Sequence, residues 1–228
     1  MPPSTQPQLP ALVIDGSGSS VFSGVLGDSR KWLAQSKLSG APLEQLFPSI
    51  ESVLKEAALT LPAIRSYIYC EGPGSVLGLR LCAMAIETWS RLHPESNHCF
   101  AYNTLQLSAA LLMRDVQVPD RVLLVSDWKK GAWNAVYINE GQIGATCVAE
   151  SAELEAWDGA LYHLPQRKGW QSPPPQAQTV EWAPERLNEV IHTSTLLLHP
   201  TEGVELYSNG VNTFAKWTAQ RHRATLQS

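Results

Sequence analysis

A short apolar run that ends in aspartate, turns on glycine and leads into further strand-like segments occurs twice in this chain. The first copy is Ala11-Leu12-Val13-Ile14 followed by Asp15-Gly16-Ser17-Gly18-Ser19-Ser20, with strands expected at Val21 to Leu26 and Lys31 to Leu38. The second is Arg121-Val122-Leu123-Leu124-Val125-Ser126-Asp127, a turn at Trp128-Lys129-Lys130-Gly131, a strand from Ala132 to Asn139 and another from Gln142 to Val148. Continuous apolar runs of this length suit buried strands, and Asp-Gly between strands is hairpin chemistry. A pattern that restarts midway predicts an α/β protein of two related lobes, a repeat of pattern and not of identity.

Helices fill the space between the copies. Leu43, Leu46, Phe47, Ile50, Val53, Leu54 and Ala57 recur at three- and four-residue spacing, which predicts a helix from Pro42 to Leu59. Pro42 suits its first turn, and Pro48 predicts a kink or a late start. A strand at Ile64 to Cys70, a helix from Ser75 to Leu92, a strand at Cys99 to Tyr102 and a helix from Thr104 to Met113 follow. Residues 1–10 read as a disordered lead-in, 11–115 as the first lobe, and 116–228 as a reduced second lobe with a tail. Beyond residue 150 the pattern weakens. Ser151 to Trp157 is a short helix candidate, Ser172-Pro173-Pro174-Pro175 demands an extended surface loop, Pro184 to Leu198 reads as a last helix, and Val204 to Trp217 starts like a strand.

Composition excludes several classes. A chain of 228 residues that is 44% hydrophobic has enough apolar material for one large domain or two lobes. A net charge of -4 predicts no broad basic face for nucleic acid, leaving only the local cluster Lys216, Arg221 and Arg223. The four cysteines form no C-x-x-C pair and read as reduced thiols of a cytoplasmic protein. No run reaches the ~18 apolar residues of a membrane span, and the first ten residues do not read as a signal peptide.

Three groups of residues could carry chemistry. Gly72-Pro73-Gly74-Ser75-Val76-Leu77-Gly78-Leu79-Arg80 lies between a strand and a helix. Its spacing departs from the dinucleotide fingerprint and from the Walker loop. An anion at the helix start remains an option. Close packing of the helix through Gly74 and Gly78, with Ser75 as N-cap, is the preferred one. Asp15-Gly16-Ser17 with Asp127 could face each other across a nucleotide cleft, or could serve only as hairpin turns. The six histidines, His93, His98, His163, His192, His199 and His222, show no zinc-protease spacing and read as surface or capping residues.

The glycine segment resembles that of the TsaB (YeaZ) family, whose typical form is G-P-G-S-F-T-G-L-R-I-G. Seven of the nine residues from Gly72 to Arg80 match, with Val76-Leu77 standing in place of Phe-Thr. Ile14-Asp15-Gly16-Ser17 resembles the family's opening I-D-T-S, and Leu46-Phe47-Pro48 keeps the end of its first-helix motif. Asp127 and a following basic residue resemble the start of its second half, and Val204 to Asn209 its tail. The resemblance implies a two-lobed actin-like ATPase (ribonuclease H-like) α/β fold with a reduced second lobe. It implies a noncatalytic subunit that pairs with a TsaD-like partner in threonylcarbamoyl modification of adenosine in tRNA. A TsaE-like ATPase is a further candidate partner, a homodimer forms in the partner's absence, tRNA is touched only indirectly, and no membrane is involved. It also implies an interface at Glu44, Leu46, Phe47, Gly74, Ser75, Leu79 and Arg80. It implies no catalytic residue and no metal or cofactor held by this chain alone, and leaves room for ATP and magnesium in a complex. Thr104 and Ser108 stand where the TsaD relatives carry metal-binding histidines. An independent ATP-dependent enzyme of the sugar-kinase class, using Asp15, Gly16, Ser17 and Asp127, is the alternative; a glycoprotease-like metallopeptidase is the remotest.

Overall fold

A computed structural model describes residues 6–93, 98–166, 172–191 and 197–208. The expectations placed on His192, Lys216, Trp217, Arg221, His222 and Arg223 lie outside these residues. The first sheet contains β1 (Ala11–Asp15), β2 (Ser20–Leu26), β3 (Trp32–Ser39), β4 (Ser66–Gly72) and β5 (His98–Asn103). The second contains β6 (Arg121–Lys129), β7 (Ala132–Asn139), β8 (Gln142–Ile143), β9 (Cys147–Glu150), β10 (Ala160–His163) and β11 (Gln178–Thr179). The last strand, β12 (Leu198–Thr201), returns to the first sheet.

The two sheets repeat one topology. In the first, β1 pairs antiparallel with β2 and parallel with β4, β2 pairs antiparallel with β3, and β4 pairs parallel with β5. In the second, β6 pairs antiparallel with β7 and parallel with β10, and β10 pairs parallel with β11. The orders β5-β4-β1-β2-β3 and β11-β10-β6-β7-β8 correspond strand for strand. The strand expected over Gln142 to Val148 is split into β8 and β9, which pair with opposite ends of β7.

Helix α1 (Pro42–Glu56) continues through Pro48, whose side is exposed. α2 (Val76–Leu92) and α3 (Thr104–Asp115) end within two residues of the expected bounds. α3 lies between the sheets. Its Leu107 and Leu111 belong to the core of the first sheet, whereas Leu105, Ala109 and Leu112 belong to that of the second. Positions 105, 109 and 112 share one helix face, so a single helix serves both cores. The other face of the first sheet is covered by α1 and α2 through Leu46, Ile50, Val53, Cys82, Ile86 and Trp89.

The second lobe is smaller because its helical cover is short. α4 (Ser151–Glu155) has 5 residues where α1 has 15. The connection from β10 to β11 contains Pro173-Pro174-Pro175, which cannot sustain helical hydrogen bonds. The expected last helix is also cut down: a 3-10 turn at Pro184–Arg186 and α5 (Leu187–Val190) are its described part, and Leu198 belongs to a strand. No helix among the described residues is long and apolar enough to cross a membrane.

Two details depart from the sequence reading. The end of the 1–10 segment is anchored, with the Gln8 amide donating to Ser66 Oγ at 2.8 Å and Leu9 packed on the core. His163 is buried instead of exposed; its Nδ1 lies 2.9 Å from the Leu164 carbonyl oxygen and its Nε2 3.0 Å from Thr179 Oγ1. It thereby ties β10 to β11.

Glu71 Oε2 lies 3.4 Å from His199 Nε2 and joins β12 to the end of β4. This carboxylate holds the His199 pKa above its ordinary value. A raised histidine pKa stabilises the fold below the ordinary range, and the contribution is lost as pH rises through the raised value. Because the pair is partly exposed, the contribution is below about 1 kcal/mol. His199→Gln is therefore expected to lower the urea midpoint slightly at pH 6 and not at pH 8.

Candidate functional site

Gly72 ends β4, and Ser75 caps α2 by accepting from the Gly78 amide at 3.4 Å. The Ser75 amide donates to the Ser17 carbonyl oxygen at 2.8 Å. A Cβ on Gly74 would fall 2.4 Å from Ser17 Cβ, and one on Gly78 would fall 2.1 Å from the Gly16 carbonyl oxygen. Both glycines are thus used for close approach of α2 to the β1–β2 hairpin. Of the two options for this segment, the geometry fits packing: the helix start lies against Gly16 and Ser17.

Asp15 is fully buried at the end of β1. Its Oδ1 accepts from the Ser17 amide at 2.6 Å, and its Oδ2 accepts from the Tyr102 hydroxyl at 2.5 Å. Burial pushes the carboxyl above its usual range, against the hydrogen bonds from Ser17 and Tyr102 that pull it down. The folded protein therefore holds this proton more tightly than the unfolded chain does. Asp15 favours folding most at low pH and costs stability as pH rises through the raised value. Asp15→Asn, which keeps the shape without the charge, is expected to unfold at pH 7 at a urea midpoint no lower than the parent's. Asp15→Ala strands two buried donors and should lose about 3 kcal/mol. A clearly lower midpoint for Asn would mean that the charge itself is needed.

Between the lobes lies a cleft of about 210 Å3, lined by Ser17, Lys37, Thr104, Ser126 and Trp182 among others. Neither Asp15 nor Asp127 lines it. The expectation that these aspartates face each other across the cleft is corrected: their neighbours Ser17 and Ser126 are there instead. Asp15 is held in the core by Tyr102 and the Ser17 amide, and Ser126 and Asp127 are successive residues of β6, whose side chains point to opposite faces. Gly16 is packed against Gly78, with Cys82 Sγ also beside it, so of the proposed nucleotide residues only Ser17 reaches the cleft. Lys37, Thr104 and Trp182 were not singled out as cleft residues from the sequence, and no local pattern marks them.

Thr104 and Ser108 are buried on the first turns of α3 and bonded within the fold. Thr104 Oγ1 is 3.3 Å from Ser17 Oγ, and the Ser108 hydroxyl donates to the Thr104 carbonyl oxygen at 2.9 Å. Asn103 caps this helix, its Oδ1 accepting from the amides of Leu105 and Gln106. Among the described residues, no group of three or more His, Cys, Asp or Glu side chains is placed to hold a metal ion.

The outer faces of α1 and α2, which pack against each other, form the second feature. Leu43 is 66% exposed, Phe47 50%, Val76 63%, Leu77 58% and Met84 64%. Glu44 and Arg80 stand exposed on the same helices, whereas Gly74 and Ser75 are half-buried against the hairpin. Leu46 and Leu79 do not belong to this surface: they are 1% and 5% exposed and sit in the two cores of the first sheet. Helical phase turns Phe47 away from the inward stripe of Leu46, Ile50 and Val53, whereas Leu43 is exposed in the first turn of α1.

Two sheets of matching topology joined through α3 define a two-lobed α/β protein of the actin-like class. Among solved structures, YeaZ from Pseudomonas aeruginosa is similar to this chain at a TM-score of 0.54 and 18% identity, over 68% of this chain and 74% of that one. An uncharacterised protein, described as having similarity to the peptidase YeaZ from Pseudomonas aeruginosa, is similar at a TM-score of 0.58 and 16% identity, over 86% of this chain and 98% of that one. No protein-family model matches the chain, and no curated protein does. The likeness is one of fold, and it agrees with the TsaB (YeaZ) resemblance carried by residues 72–80.

Proposed function

We propose that this chain is a noncatalytic TsaB-like subunit that docks on a TsaD-like partner through the outer faces of α1 and α2, in the cytoplasm. In that complex it supports threonylcarbamoyl modification of adenosine in tRNA. The observation that carries this reading is the set Leu43, Phe47, Val76, Leu77 and Met84, exposed on two adjoining helices of a fold shared with YeaZ. Large apolar side chains left exposed on two helices in contact suit a protein interface. The match from Gly72 to Arg80 supports it as well, because this segment positions the start of α2.

The alternative of an independent ATP-dependent enzyme has less support. Asp15 is buried and bonded to Tyr102, and Gly16 lies under α2. The test is a titration of the purified chain against the TsaD homologue of its own organism. A complex at micromolar concentration is expected. No complex, with or without ATP and magnesium, would remove the proposal. A deletion strain assayed for threonylcarbamoyladenosine then tests the cellular role.

A further inference from the structure

The chain returns from the second sheet to the first through one aromatic residue. β11 ends at Thr179, and Ala183, Leu187 and Val190 are already buried in the core of the first sheet. Between them stands Trp182. Its indole Nε1 donates to Ser17 Oγ at 3.0 Å across 165 residues of sequence. Its ring lies so close to Gly18 that a Cβ there would sit 2.7 Å from the ring carbons. Lys37 Nζ is 4.9 Å from the ring centroid and donates to the Trp182 carbonyl oxygen at 3.1 Å. The same ammonium pairs with Glu185 at 2.9 Å, and Trp32 Nε1 donates to the Glu185 carbonyl oxygen at 2.7 Å.

We propose that Trp182 is a latch between the lobes, holding the end of the second sheet on the β1–β2 hairpin and keeping the cleft between them closed. Three features distinguish it from ordinary core packing. First, its contacts on the first lobe are polar as well as apolar: an indole N–H to a hydroxyl, and an ammonium near the ring. Second, besides packing at the edge of the first sheet's core, they converge on the turn of the hairpin, at Ser17 and Gly18. Third, Trp182 is partly buried and lines the cleft itself together with Ser17 and Lys37. A side chain that is only partly buried, at the edge of that core, can withdraw while the strands of both sheets stay paired. Withdrawal would uncover the cleft's hydroxyls, Ser17, Thr104 and Ser126, and would release Lys37 from the indole.

Native-state hydrogen exchange, followed by mass spectrometry on the full chain, tests this without any partner. In Trp182→Ala, peptides covering both cleft walls, 14–22 and 160–166, should exchange on the order of tenfold faster. Peptides covering β4 and the middle of β6 should keep the parent's rates. Trp182→Phe keeps a ring on Gly18 but no N–H, and should fall between the two. Unchanged exchange at both walls in Trp182→Ala would overturn the latch. Faster exchange that is equal in β4 and β6 would overturn it too, since it would reflect loss of global stability. Neither result bears on the docking proposal, which stands or falls on the titration.

Discussion

Gly78→Ala should lower the stability of this protein by about 3 kcal/mol or more. The added methyl would meet the Gly16 carbonyl oxygen at 2.1 Å and its carbonyl carbon at 3.0 Å, both backbone atoms. Gly16 cannot move aside easily. It follows buried Asp15 in β1, and Ser17 after it is held by its amide to Asp15 Oδ1 and by its carbonyl oxygen to the Ser75 amide. Accommodating the methyl requires α2 to slide off the hairpin, which disturbs Leu79 and Cys82 in the cores on either face of the first sheet. In a chain of this size the loss corresponds to a fall of roughly 6–12 °C in the unfolding midpoint. Gly203→Ala is the control, since no atom lies within 4 Å of its would-be Cβ. Its midpoint should stay within about 0.5 kcal/mol of the parent. If Gly78→Ala behaves like the control, the close approach of helix and hairpin is not a requirement of the fold.

The second large effect is expected on association and not on folding. Leu77→Glu and Phe47→Glu should each weaken binding to the TsaD-like partner by about 2–4 kcal/mol, roughly 30- to 1,000-fold. Both side chains are half exposed or more, so their replacement removes little from the monomer's core. The unfolding midpoint should move by less than about 0.5 kcal/mol. Leu46→Ala and Leu79→Ala should do the reverse. Those side chains are buried, and each truncation leaves a cavity worth about 2–5 kcal/mol of stability. Binding measured on the fraction that remains folded should change little. The contrast is informative because Leu46 and Phe47 are sequence neighbours. If Leu77→Glu and Phe47→Glu both bind like the parent, the outer face of α1 and α2 is not the docking surface.

Much of the fold is legible in the residues, and the limits have physical causes. β1, β6 and β7 are apolar or alternating over at least four residues, so local pattern finds them. β10 and β11 have 4 and 2 residues and are strands only because β6 and then β10 lie beside them. β12 contains Pro200, which suits an outermost strand, and only its first residue, Leu198, falls within the expected last helix. The split of β8 from β9 likewise follows from pairing with the two ends of β7. At the candidate site, the glycine segment and its N-cap were readable because the requirement for close approach is written in consecutive residues. The inward turn of Leu46 and Leu79 was not, because Leu43, Leu46, Phe47 and Ile50 are all apolar and hydropathy alone does not say which stripe meets the sheet.

By itself, the order of residues determined the repeated strand–aspartate–glycine unit, the helices between, and the small side chains at positions 16, 74 and 78. Each of these depends on neighbours a few positions away, where periodicity and turn geometry act directly. Only the tertiary structure decided that Asp15 is sealed beneath Tyr102, that Leu43, Phe47 and Leu77 face outward, and that Trp182 reaches Ser17. Those outcomes depend on which distant surfaces meet when two sheets close around α3, and no local spacing encodes a contact made across 165 residues.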